Sequence, residues 1–163
     1  MTTISDILVY IIKNYPYKND LSNARLTKMV YLVDWKACLV TGNQLTNIKW
    51  KYNHYGPYVD DIIETSKKDN IFKIVKTKNL YGFSKKRVEL KDEDYNIKID
   101  EESKKIINHV INATKDLYWK DFINLVYSTH PIISNNKFEY LNLVKSAKEY
   151  KKNNNNDKEK VTH

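Results

Sequence analysis

The stretch "RLTKMVYLVDWKACLVTGNQLTNIKWKYNHYGPYVDDI", Arg25 to Ile62, decides the fold of this chain. Leu26, Met29, Val30, Val33, Ala37 and Val40 keep helical spacing, and Leu32 and Leu39 widen the stripe. A stripe that wide belongs to a helix buried on most sides. The helix is expected to start near Asp20 or Ser22, with Gly42 supplying the left-handed residue that closes it. "TNIKWKYNH" then alternates Ile48, Trp50 and Tyr52 with Lys49, Lys51 and Asn53, the period of a strand. Gly56-Pro57 is expected to open a third helix. Proline at the first helical position gives up an amide that had no partner, and Asp60, Asp61 and Glu64 would lie near the positive end of the dipole.

On the N-terminal side, Thr3-x-x-Asp6 reads as a capping box, followed by Ile4, Ile7, Leu8, Ile11 and Ile12 on one helical face up to Pro16. On the C-terminal side, Phe72 to Val75 and Tyr81 to Leu90 read as paired strands around the turn region "KTKNLYG". Asp100 caps a fourth helix whose Ile106, Ile107, Val110, Ile111 and Thr114 face inward. Trp119, Phe122, Ile123, Val126 and Tyr127 make a fifth, stopped by Pro131. Asn135 or Asn136 would cap a sixth carrying Phe138, Leu141 and Val144. The expected fold is mainly α with a small antiparallel β-sheet: one domain over residues 1–150, about six helices, a short strand and a β-hairpin. The Asn- and Lys-rich segment 151–163 lacks apolar periodicity and reads as a disordered tail.

A chain of 163 residues is long enough for one real core. No uncharged apolar run is long enough to span a bilayer, and Asp6 and Lys13 interrupt the apolar N-terminus, so a cytoplasmic protein with neither a membrane span nor a signal peptide is expected. The formal charge of +8 is uneven. Nine basic residues against two acidic ones fall between Lys67 and Lys91.

That basic segment interleaves lysines with Phe72, Tyr81 and Phe83, and Lys85, Lys86 and Arg87 form its densest patch. Three readings stay open for it: a solvated face that protects a sheet edge, a docking surface for an acidic protein, or a nucleic-acid surface combining phosphate neutralisers with stacking rings. Catalytic readings are weaker. Cys38 and His54 would make a thiol–imidazole pair only if they met, and Cys38 sits within the apolar helix as a small buried thiol. His54, His109, His130 and His163 lack the spacing of a metal site, and three glycines in the whole chain do not build a phosphate loop. Neither metal nor cofactor is expected, and no enzymatic activity. Asp34, among apolar neighbours, reads as a surface or hydrogen-bonded structural acid before a functional one.

Taken as a unit, Arg25 to Ile62 resembles the signature half of the Panacea domain, the family of SocA-like antitoxins. Leu26, Lys28, Met29, Val30 and Tyr31 match its first block, Gly42 its turn, Trp50 its strand aromatic, and Gly56 with Pro57 its last block. "STHPI", Ser128 to Ile132, resembles the family's Thr-His segment at His130, although the Pro-Trp continuation is replaced at Ile132. The resemblance implies a non-enzymatic antitoxin that binds a protein toxin encoded by an adjacent gene, in some members delivering it to a cytoplasmic protease. Related sequences also occur in prophages. In that reading the Gly-Pro joint shapes a docking surface of Trp50, Tyr55 and Tyr58. The alternative is a nucleic-acid-binding regulator working through the Lys67–Lys91 hairpin.

Overall fold

A computed structural model describes residues 2–161, with side chains through Asn156; His163, one of the histidines considered above, lies outside the described residues. Among the described residues seven α-helices stand with two small two-stranded antiparallel sheets, so the chain is mainly α, as expected. Helix α1 (Ile4–Asn14) begins at the predicted box: Asp6 N–H donates to Thr3 Oγ1, and the Thr3 hydroxyl donates back to Asp6 Oδ2. Helix α2 (Asn23–Thr41) has Ser22 as its N-cap, accepting from Arg25 N–H, and Gly42 at φ +86° as its C-cap. It is the spine of the molecule. Leu26, Met29, Val30, Tyr31, Val33, Ala37 and Cys38 are fully buried, and α2 packs against α1, α4 (Glu101–Thr114) and α7 (Leu143–Val161). Helix α4 is capped by Asp100, whose carboxylate accepts from Ser103 N–H, and it buries the five residues expected of it.

The joint at Gly56 differs from expectation. Strand β1 (Tyr52–Asn53) pairs with β2 (Gly56–Pro57) across the two-residue turn His54-Tyr55, so Gly56-Pro57 ends a hairpin, and α3 (Asp61–Lys68) begins later. The hairpin continues as Tyr58 N–H bonds to Lys51 O. Gly56, at φ +93°, occupies a conformation that a helix start does not use, and a Cβ there would lie 3.3 Å from the Tyr127 ring. Only glycine fits both the turn and the close ring.

The expected sixth helix is replaced by two elements. Helix α5 (Trp119–Tyr127) ends before Pro131, which instead sits in the first turn of the short α6 (His130–Ile133). Neither Asn135 nor Asn136 caps a helix. After a turn at Phe138, residues 139–141 run beside β1, held by Phe138 N–H to Tyr52 O, Tyr52 N–H to Glu139 O and Leu141 N–H to Trp50 O. Those three bonds outweigh local helix preference. Asn142 then starts α7, its Oδ1 accepting from Lys145 N–H. Helix α7 continues through Val161, where a disordered tail was expected from Lys151; Leu143, Ser146 and Ala147 anchor its first turns in the core, and residues 151–156 propagate it fully exposed.

Strands β3 (Phe72–Lys78) and β4 (Ser84–Leu90) form the second sheet, with Phe72 opposite Leu90 and Lys76 opposite Lys86. Its root is buried through Phe72, Val88 and Leu90, and its tip stands in solvent with Leu80 wholly exposed.

Candidate functional site

Two residues of the sequence signature, Tyr31 and Trp50, meet in one buried knot around Asp34. Asp34 is fully buried, and its carboxylate takes hydrogen bonds from Leu45 N–H (3.0 Å), Thr46 N–H (3.0 Å), Thr46 Oγ1 (2.5 Å), Gln44 Nε2 (3.2 Å) and Trp50 Nε1 (2.9 Å). One carboxylate thereby folds the connection after α2 back over the helix and fixes the indole. Burial pushes the Asp34 pKa up, against the pull of the Thr46, Trp50 and Leu45 donors. The Trp50 ring meets Tyr31 edge-on at 5.5 Å, and the Tyr31 hydroxyl pairs with Thr129 Oγ1 at 2.8 Å. The Arg25–Ile62 block and the Ser128–Ile132 block therefore touch in the core.

The other signature residues have similar placements. Leu26 and Met29 are fully buried in α2, and Pro57 is buried beside Gly56. His130 is partly buried in α6, its Nε2 3.5 Å from Glu149 Oε2 of α7. Lys28 is only 2% exposed; its ammonium lies 5.8 Å from the Tyr58 ring centroid, and burial lowers its pKa to about 8. Cys38 and His54 do not meet: the thiol is buried with its pKa pushed up to about 12 by burial and by Asp34, and His54 is at the surface. Among the described residues no group of three or more His, Cys, Asp or Glu is placed to hold a metal ion, and no helix is long and apolar enough to cross a membrane.

The expected docking trio divides. Trp50 is withdrawn from it, because it is wholly buried and its Nε1–H is committed to Asp34. Tyr58 is half-buried and accepts a bond from Asn23 Nδ2. Tyr55 is 81% exposed at the β1–β2 turn. Two further exposed aromatics that sequence reading missed lie beside the same hairpin. The Phe138 ring lies 4.9 Å from His54 and is 53% exposed, and Tyr140 is 70% exposed beneath the Lys51 ammonium. The alternation in Lys137-Phe138-Glu139-Tyr140 was the available signal for this extended segment. Phe138 also has φ +73°, a strained conformation for a bulky residue, which costs about 1–3 kcal/mol. Strain held at an exposed aromatic marks this face as a candidate contact surface.

The basic patch divides as well. Lys85 and Lys86 face an open cleft, whereas Arg87 is paired with Glu89 at 3.3 Å.

The family model for the SocA-like antitoxins, Panacea domain, matches residues 26–132, well over half of the chain. The chain belongs to that family. The match begins within α2 and ends in α6, so it contains both halves of the Asp34–Trp50–Tyr31–Thr129 knot. No curated protein and no solved structure gives a significant match. In this Panacea domain the signature residues build the scaffold, and the exposed aromatics lie around its rim.

Proposed function

We propose that this Panacea domain is a cytoplasmic antitoxin that neutralises a protein toxin, encoded by an adjacent gene, through direct contact at the face formed by Tyr55, Phe138 and Tyr140. The family match over residues 26–132 carries the antitoxin reading. The choice of face rests on the exposure of three aromatic rings from two separate segments clamped together by backbone bonds, one of them held in a strained conformation. Tyrosine and phenylalanine offer large contact area with few rotors, which suits them to anchor an interface of about 800 Å² per partner. Tyr58, Trp50 and Asp34 lie behind the face and keep its backbone in place.

The test is co-expression of the neighbouring open reading frame, alone and with this gene, followed by titration calorimetry of the purified pair. Growth arrest by the neighbour alone and rescue by the pair is the expected result. The triple variant Tyr55→Ala, Phe138→Ala, Tyr140→Ala should weaken binding by about thirtyfold or more, the loss expected if even one ring is a hot spot. A toxic neighbour that is not rescued overturns the antitoxin reading. Unchanged affinity in the triple variant, with native circular dichroism, overturns only the face.

A further inference from the structure

A second exposed aromatic surface lies away from the first, and it differs in chemistry. Between the outer half of β3–β4, the start of α2 and the start of α5 is an open cleft of about 990 Å³. Lys76, Lys85 and Lys86 line it from the hairpin, with Tyr81 from the tip and Tyr118 and Trp119 from α5 and its N-cap. Tyr81 and Tyr118 are 84% and 85% exposed, and Trp119 keeps about half its surface free. The strand register explains two of the lysines; Lys85, on the other face, reaches the cleft edge and donates to Asn19 O at 3.3 Å. Lys76 and Lys86 are direct partners on the face that, nearer the root, carries Ile74 with Val88 and Phe72 with Leu90. Where the hairpin outruns the core, that face changes from apolar to cationic. Arg25 also lines the cleft; it is 3% exposed, bonded through Nη2 to Thr114 O and Leu117 O, and its buried Nε has no partner. One carboxylate, Asp20, faces the same space.

We propose that this cleft binds single-stranded nucleic acid, with Lys76, Lys85 and Lys86 neutralising phosphates and Tyr81, Tyr118 and Trp119 stacking on bases. A cationic groove edged by free aromatic faces is the arrangement that single strands use, since every base has a face to stack and every nucleotide a phosphate to neutralise. An acidic protein segment fits less well. Protein interfaces are depleted in lysine because its ammonium is costly to dehydrate, whereas a phosphate chain leaves it partly in water. The unpaired charge in the floor, Arg25, adds a fixed positive potential without itself needing to be reached.

Fluorescence anisotropy with the full chain tests this, using labelled oligo-dT and oligo-U of about twelve nucleotides, within the usual range of single-strand site sizes. A duplex of equal length and an oligo-glutamate peptide serve as rivals. Both single strands should bind. Affinity should fall about fifteenfold between about 50 and 200 mM salt, as three phosphate contacts on a single strand require. Tyr81→Ala with Tyr118→Ala should weaken binding at least fivefold per ring at constant charge. Lys76→Glu with Lys86→Glu should abolish binding, while Lys67→Glu with Lys68→Glu, an equal charge change on α3, should leave most of it. A preference for U over dT, or the reverse, identifies RNA or DNA as the source. No binding at about 100 µM protein, the weak end of non-specific affinity, overturns the proposal. So does indifference to the tyrosine pair, equal loss in the α3 control, or binding of oligo-glutamate as tight as that of the strands.

Discussion

Helix α2 with its Trp50 connection, and the β3–β4 hairpin, are two regions with opposite physical character. In the first, three charged residues are inside: Asp34 is fully buried among five donors, and Lys28 and Arg25 are nearly so. In the second, full burial stops at Phe72 and Val88; beyond Ile74 and Val88 only Val75, Thr77, Lys85 and Arg87 are even partly buried, and the rest is exposed. The family signature falls on the first region and stays inside the protein. A scaffold can thus be specified by buried polar chemistry while its rim remains free to carry different contact residues. The contrast also says where substitution should cost stability and where it should cost only binding.

The largest effect should come from removing the knot. Asp34→Ala leaves Leu45 N–H, Thr46 N–H and Trp50 Nε1–H without their acceptor. At roughly 1–3 kcal/mol for each buried orphan, partly offset by no longer burying a carboxylate, the loss should be about 3–5 kcal/mol. That is a large share of a domain's usual 5–15 kcal/mol or so. Urea unfolding followed by circular dichroism measures it. A loss below about 1 kcal/mol would mean that water replaces the carboxylate and that the signature region is not held from within.

Lys28 sharpens the same contrast, because here the buried charge opposes folding. Its pKa is lowered to about 8 by burial from 10.5 in a free chain. The unfolded chain therefore holds the proton more tightly, and the cost is fully present below pH 8 and fades as pH rises towards 10.5. Lys28→Met should be more stable than the parent by about 3 kcal/mol at pH 7, with the gap closing across that window. The Cys38 thiol, pushed up to about 12, and the Tyr31 hydroxyl, pushed still higher by burial, act in the opposite direction at alkaline pH. Both act equally in the two proteins and cancel in the difference. Chemical denaturation of the pair across this range gives the answer. A gap independent of pH would show that Lys28 is solvated in the folded state.

Much of this division was legible in the sequence wherever a local pattern and the tertiary outcome agree. The caps Thr3, Ser22 and Asp100, the Gly42 stop and the inward face of α4 all rest on short-range rules. Two of the misreadings share one cause. Gly56-Pro57 has the composition of a helix start, and Asn135 to Val144 that of a capped helix, but backbone pairing among residues 50–58 and 138–141 overrides both. The same pairing hid half of the candidate contact face, because Phe138 reaches His54 and Tyr140 reaches Lys51 only once it has formed. Trp50 was misplaced for a different reason. An aromatic on an alternating segment points to one face or the other, and only the Asp34 carboxylate, buried in another element, decides which. Residues 151–156 were read as disordered for lack of apolar spacing, and a helix already nucleated by Leu143 and Ala147 does not need it.

The smallest effect should come from the hairpin tip, and it is the stricter test of the comparison. Leu80 and Tyr81 are almost wholly exposed, and the turn beneath them is closed by backbone and by Asn79, whose Oδ1 accepts from Tyr81 N–H and Phe83 N–H. Neither side chain contributes to that closure. Leu80→Ser with Tyr81→Ser should therefore change the unfolding free energy by no more than about 0.5 kcal/mol, the usual range for surface positions. Asn79→Ala, one residue away and equally exposed, removes the turn's acceptor and should cost about 1 kcal/mol. Were the serine pair the more damaging of the two, those rings would be packing against the body of the protein. The tip would then belong to the scaffold, and a free apolar residue at the end of a basic hairpin would need no partner to explain it.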